Sequence, residues 1–266
     1  SFDSDGFTVN TDGGVNGSSQ TYASWNWLGA NGTASNSDGS ITSTVSANIS
    51  AGFSIIKYIG QNSVGTIGHG LNSIPKMLIF KDLGSQDWYV HHTSLGVNGR
   101  LILNGTNAVA DNTSFLNQVL PTSTLITLGT TAQVNASGNN YICYAFAENA
   151  SKLFKIGSYV GNGSSDGNFI YTGGKPVWLM VKRTTDGSES WHIFDNKRNN
   201  FNEVNTRIQA NSNGAEDTAA PLGDFVSNGF KIRGTGGGIN VSGKNFIYMA
   251  IQQPIVGQNN VPCTAR

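Results

Sequence analysis

One segment of this chain occurs three times, and repetition at this length restricts the fold more than any single motif does. Val15-Asn16-Gly17-Ser18-Ser19-Gln20-Thr21-Tyr22 returns as Val134-Asn135-Ala136-Ser137-Gly138-Asn139-Asn140-Tyr141 and again as Ile239-Asn240-Val241-Ser242-Gly243-Lys244-Asn245-Phe246. Each copy runs into an apolar stretch: Ala23-Ser24-Trp25-Asn26-Trp27, Ile142-Cys143-Tyr144-Ala145-Phe146 and Ile247-Tyr248-Met249-Ala250-Ile251.

Further matches keep the same order. Tyr58-Ile59-Gly60-Gln61-Asn62-Ser63 corresponds to Tyr159-Val160-Gly161-Asn162-Gly163-Ser164, and Pro75-Lys76-Met77-Leu78-Ile79-Phe80-Lys81 to Pro176-Val177-Trp178-Leu179-Met180-Val181-Lys182. After a small insertion, Trp88-Tyr89-Val90-His91-His92 aligns with Trp191-His192-Ile193-Phe194-Asp195. The chain therefore divides into a partial repeat at 1–28, a Gly-, Asn-, Ser- and Thr-rich linker at 29–51, full repeats at 52–150 and 151–253, and a tail at 254–266. Repeats of about 100 residues are small domains rather than solenoid units. Because the chain opens as Ser1-Phe2-Asp3 in mid-repeat, it is expected to be a piece of a longer polypeptide.

Composition narrows the function class. With 12% charged residues and a formal net charge of zero, the chain has no electrostatic attraction for nucleic acid. The longest apolar run, Tyr141 to Ala147, is far short of the ~20 residues a membrane-spanning helix needs, so no membrane insertion is expected. Of the two cysteines, Cys143 falls in an expected core strand and Cys263 near the C-terminus. Either a bridge staples the tail, or one thiol is buried and the other free; their spacing is not that of a metal site.

Strand and turn signals make the fold all-β. Strands are expected near 53–59, 76–82, 87–92, 100–104, 124–128 and 140–147. The second repeat should place its own near 153–160, 168–171, 176–183, 190–195, 206–209, 229–233 and 245–252. Gly-Asn, Asn-Gly, Asp-Gly and Ser-Gly pairs supply the tight turns, and short helical turns are expected around 112–119 and 215–225. Six or so antiparallel strands with one apolar face need a second sheet to cover it. The expectation is two tandem homologous antiparallel β-sandwich domains, preceded by an orphan β-hairpin and an extended linker. That hairpin, with Phe7, Tyr22, Trp25 and Trp27 exposed, is a candidate assembly element that completes the sheet of a neighbouring unit or subunit, the competing reading being a frayed stump.

Motifs for catalysis are few. His91 and His92 are strand neighbours that point to opposite faces, and no third or fourth ligand accompanies them, so no metal and no cofactor is expected. Gly163-Ser164-Ser165-Asp166-Gly167 has the spacing of a nucleophile elbow, but no helix follows it. Asp5, Asp38, Asp166 and Asp186 each precede glycine and read as turn residues, while Asp3-Ser4-Asp5-Gly6 lacks the later ligands of a calcium loop. The aromatic residues carry more. Trp178, Tyr171, Tyr89 and His92 are the candidates for an outer-face platform that stacks on sugar rings, against the alternative that such rings pack in the core.

The stretches Gly52-Phe53-Ser54-Ile55-Ile56-Lys57-Tyr58, Gly65-Thr66-Ile67-Gly68-His69-Gly70-Leu71, Phe194-Asp195-Asn196-Lys197-Arg198 and Ser227-Asn228-Gly229-Phe230-Lys231-Ile232 resemble a repeated domain of tail-fibre and other virion appendage proteins of marine and cyanobacterial phages. The resemblance covers almost the whole chain. It implies a non-enzymatic protein of the virion surface, in a setting often shared with concanavalin A-like lectin modules, and it transfers no functional residue. The expected role is a tail-fibre-like appendage that binds host-surface glycans, with other copies of itself or other virion proteins as partners. The alternatives are a filament or decoration subunit assembled by strand addition, and a capsule polysaccharide depolymerase.

Overall fold

The computed structural model describes residues 3, 6–149, 151–218 and 221–254. The chain is an all-β sandwich protein of antiparallel sheets. Its first part carries α1 (Gly13–Asn16), β1 (Ala34–Asn36), β2 (Ser43–Asn48), β3 (Phe53–Ile59), β4 (Gly65–Gly68), β5 (Pro75–Asp82), β6 (Trp88–His92), β7 (Gly99–Ile102), β8 (Ala110–Asp111), β9 (Leu125–Leu128), α2 (Ala132–Asn135) and β10 (Asn140–Ala147). There follow β11 (Phe154–Val160), β12 (Phe169–Tyr171), β13 (Gly174–Arg183), β14 (Trp191–Asp195), β15 (Ile208–Gln209), β16 (Gly223–Val226), β17 (Gly229–Ile232) and β18 (Asn245–Pro254).

The topology repeats with the sequence. In the first large sheet the order is β1-β2-β3-β10-β5-β6-β7-β8, and in the second β11-β18-β13-β14-β15. Residues 77–81 pair with 142–146 and with 88–92; residues 178–182 pair with 247–251 and with 191–195. The register shifts at the same place in both repeats, beside Pro75 and Pro176, where proline has no N–H to give the ladder. Asn104 Oδ1 accepts from the Trp88 N–H at 2.9 Å, and Asn211 Oδ1 accepts from the Trp191 N–H at 2.8 Å.

Two smaller sheets, β4-β9 and β12-β17-β16, each cover one face of a large sheet. Ile56, Phe80, Phe115, Leu128, Tyr141 and Cys143 fill the first core; Leu179, Phe194, Phe225, Phe230, Phe246 and Tyr248 fill the second. The other face of each large sheet is apolar as well, and the two faces pack against each other. Phe53, Met77, Ile79 and Val90 of the first repeat meet their counterparts Phe154, Trp178, Met180 and Ile193 in a third core. The molecule thus has four layers, and the middle two are buried on both sides. Two-sided burial is why runs such as Met77-Leu78-Ile79-Phe80 are continuously apolar instead of alternating.

The structure corrects three sequence expectations. Residues 29–51 are not an extended linker: β2 pairs with β3 along Thr44–Asn48, and Ile41 and Val45 are buried in the first core. Alternation in Ser43-Thr44-Val45 is weak among so many small polar residues, and only pairing with β3 gives Val45 an inside. The orphan hairpin does not form either. Residues 8–28 hold the turn α1 but no strand. Around 215–225 the expected helical turn is replaced by strand β16, drawn into a hairpin with β17 by the Phe225–Phe230 pair. Residues 112–119 are turns, as expected.

Cys143 is a free thiol buried in the first core, and burial pushes its pKa well up. Cys263 lies outside the described residues, as do Ser4 and Asp5 of the Asp3-Ser4-Asp5-Gly6 segment.

Candidate functional site

The third core is incomplete at one side, where a cleft of about 910 Å³ stays open between the two repeats. Its walls are aromatic: Trp88, Tyr144 and Phe53 from the first large sheet, Trp178 from the second, and Trp25 and Trp27 from the N-terminal segment. Strand register sets the first wall. On β10 the side chains of Tyr141, Cys143 and Ala145 point into the first core, so Tyr144 and Phe146 point to the opposite face. There the Tyr144 ring lies parallel to Phe53 (centroids 6.4 Å apart, 5° between planes) and to Trp88 (6.3 Å, 14°). Trp88 and Tyr144 remain half-buried, so the ladder of rings is open to the cleft.

Trp25 and Trp27 enter from the N-terminal segment. Both are half-buried and both meet Trp178 edge to face, at 6.4 and 5.9 Å. Trp27 also meets Phe146 at 6.4 Å, and the Arg198 guanidinium sits 5.9 Å from the Trp25 ring. Arg198 is held there by Asp195, whose carboxylate accepts from its Nε at 2.7 Å. Burial raises the Asp195 pKa, but the hydrogen bonds and charge of Arg198 outweigh it and hold the carboxyl below its ordinary value.

Two indole nitrogens beside this cleft make no hydrogen bond. Trp27 Nε1 and Trp178 Nε1 are both buried and meet no acceptor among the described residues. A buried donor left unpaired costs about 1–3 kcal/mol. Flat, half-open rings in a cleft of this size suit a small ligand that presents C–H faces.

The four residues proposed for a sugar platform do not share a surface. Trp178 lines the cleft, with its ring in the third core. Tyr89 is buried in the first core, edge-on to Phe115 at 6.2 Å, because β6 presents it to the side opposite Trp88. His92 is fully buried between the repeats: its Nδ1 accepts from Ser94 N–H at 3.1 Å, which leaves the proton on Nε2, 3.3 Å from the Tyr248 carbonyl. Tyr171 is 60% exposed, but on β12 in an outer layer away from the cleft. An outer-face role is thus closed to Tyr89, His92 and Trp178, since the outer face of each large sheet is itself covered. Of the candidate assembly residues, Phe7 and Tyr22 are exposed, whereas Trp25 and Trp27 pack into the cleft of their own chain. Sequence reasoning did not single out Tyr144, Phe53 or Trp88 for a site; only the pairing of β10 with β3 and β5 shows which aromatic residues share a face.

Among the described residues, no group of three His, Cys, Asp or Glu side chains converges as a metal site requires. No helix of the described residues is long and apolar enough to cross a membrane.

A family described as a domain of unknown function (DUF7483) matches residues 1–254. The chain belongs to this family. The match to DUF7483 spans the partial repeat and both full repeats together, so the aromatic cleft lies wholly within it. No curated protein and no solved structure matches the chain.

Proposed function

We propose that this chain is a non-enzymatic module of a tail-fibre-like virion surface appendage that holds a host-surface glycan in the cleft between its repeats. The observation that carries the glycan assignment is the pair of stacked, half-open rings at Trp88 and Tyr144 on the wall of the cleft. Sugar rings stack their C–H faces on aromatic side chains. The four-layer scaffold supports the appendage part of the reading, because a core shared between repeats resists bending at their junction. The placement on a virion rests on the resemblance of the repeated segments to phage appendage domains.

A depolymerase would need two carboxyl groups set about 5–10 Å apart across the bound sugar. Asp3 and Asp195 border the cleft region, and Asp195 is already engaged by Arg198, which argues against that alternative. The test is a glycan array followed by titration of the best binder. Trp88→Ala should weaken binding at least about tenfold, the scale of one aromatic contact. Trp178→Phe, which only trims an aromatic ring at the opposite wall, should weaken it less. Binding untouched by Trp88→Ala, or no glycan bound, overturns the reading.

A further inference from the structure

The N-terminal residues 12–22 fold as the closing loop of a repeat, but no strand end of the described residues is seated in it. In the first full repeat Thr131 caps α2, Asn135 Nδ2 donates to the Gly129 carbonyl at 2.8 Å, and the Tyr141 hydroxyl donates to Ala132 O (2.7 Å) while accepting from Ala136 N–H (2.8 Å). In the N-terminal segment Asp12 caps α1, Asn16 Nδ2 donates to the Asn10 carbonyl at 2.7 Å, and the Tyr22 hydroxyl donates to Gly13 O and accepts from Gly17 N–H, both at 2.8 Å. Gly138 and Gly243 take φ of +78° and +72°, and Ser19 at the same position takes +59° despite its side chain. The loop is therefore built by its own bonds in advance of any partner.

Both full repeats show what such a loop holds: the end of a strand. In the first, Tyr58 Oη donates to Val134 O (2.7 Å), Gln61 N–H to Asn135 Oδ1 (2.8 Å), Asn62 N–H to Asn135 O (2.7 Å) and Asn135 Nδ2 to Ser63 O (2.7 Å). Gly60 then exchanges two bonds with the loop, its N–H to Asn139 O and its carbonyl from Gly138 N–H, both 2.9 Å. The second repeat makes the same set with Tyr159, Gly161, Asn162, Gly163 and Ser164 on Ile239, Asn240, Gly243 and Lys244. In the N-terminal loop the corresponding groups are Val15 O, Asn16 O, Asn16 Oδ1, Ser19 N–H and Gln20 O, and none of them has a partner among the described residues. Val15 is 51% exposed, where Val134 and Ile239 are buried.

We propose that the loop 12–22 is the receiving half of an assembly contact, and that its occupant is the strand end of a further repeat of this kind, of the form Tyr-x-Gly followed by small polar residues. Each element of that form has a reason. The tyrosine hydroxyl reaches the Val15 carbonyl, the polar residues bring backbone N–H groups to Asn16, and glycine is required where the strand crosses the loop. A Cβ on Gly60 would lie 2.2 Å from Ala136 O, and one on Gly161 2.3 Å from Val241 O, both inside any real contact. The direction of the contact is the reverse of strand donation: this segment accepts a strand rather than giving one.

The experiment titrates the isotope-labelled full chain with the soluble peptide Lys-Tyr-Ile-Gly-Gln-Asn-Ser, a copy of residues 57–63, and follows backbone amide shifts. Saturable shifts centred on residues 15–22 are expected, weakened about tenfold or more by Asn16→Ala in the protein, as expected for losing several hydrogen bonds at once. A peptide carrying Gly60→Ala should not bind, and this arm leaves the protein intact. No saturable binding at millimolar peptide, equal binding of the alanine peptide, or shifts centred elsewhere would each overturn the proposal. The glycan reading would survive that failure, since Trp88 and Tyr144 are not part of the loop.

Discussion

The indole N–H of Trp191 donates to the backbone carbonyl of Ile102 at 2.8 Å, so the second repeat is fastened to the first through its most deeply buried tryptophan. Trp88, the same residue one repeat earlier, has no such cover and faces the cleft instead. Trp191→Phe should keep most of the packing and leave the Ile102 carbonyl unpaired, a loss of about 1–2 kcal/mol. Trp191→Ala adds a cavity and should cost about 3–5 kcal/mol. Urea denaturation followed by circular dichroism checks both values. Because the third core belongs to both repeats, wild-type unfolding should be a single transition; two resolved transitions would show that the repeats are independent.

Acid should destabilise the fold through its buried histidines. Burial lowers the pKa of His91 and of His92 from 6.5 to about 4, only partly opposed by backbone hydrogen bonds. Between these values the unfolded chain binds protons that the folded chain does not, so stability rises with pH from about 4 to 6.5 and is lost on acidification through the same window. The upper bound is about 3 kcal/mol per histidine. Midpoints of denaturation measured from pH 7.5 to 4 should fall along that interval, and His92→Gln should flatten the slope.

Gly60→Ala and Gly161→Ala should each destabilise their own repeat by more than the ~1 kcal/mol typical of a point substitution, because the added methyl runs into a backbone carbonyl that cannot swing away. Gly96→Ala serves for comparison: it has open space around it, so only its positive φ is strained. Melting temperatures of the three variants should separate these effects, with Gly96→Ala the mildest.

Removing the rings of the N-terminal segment should open the cleft. In Trp25→Ala/Trp27→Ala the edges of Trp178 and Phe146 lose their aromatic neighbours. Binding of a hydrophobic dye should rise and stability should fall by about 2–4 kcal/mol, the sum expected for two half-buried aromatic side chains. Unchanged dye binding would place these rings outside the cleft in solution.

Much of the fold was legible in the residues themselves. The strands from Phe53–Ile59 to Asn245–Pro254 lie where β-branched and aromatic runs end in glycine and asparagine turns, and the matched pairs of segments occupy matched places in the two large sheets. The short strands β2, β4 and β16 were not read, since Ser43-Thr44-Val45, Gly65-Thr66-Ile67-Gly68 and Gly223-Asp224-Phe225 are too short and too rich in small or polar residues to announce themselves. The candidate site was read less well. Trp178 and the pair Trp25 and Trp27 were singled out, but for an exposed platform and an exposed hairpin, whereas all three lie along one cleft between the repeats.

By itself the sequence determined the all-β class, the duplication and most strand positions, because turns and β-branched or aromatic runs depend on neighbours a few residues apart. Which way each aromatic side chain faces, and that the two repeats bury their remaining apolar faces against each other, was decided only by tertiary structure. The physical reason is that a strand offers two faces of equal standing, and only the partner sheets determine which face meets which core. That is how Tyr89 came to lie inside and Tyr144 to line a cleft, though both are tyrosines in apolar strands.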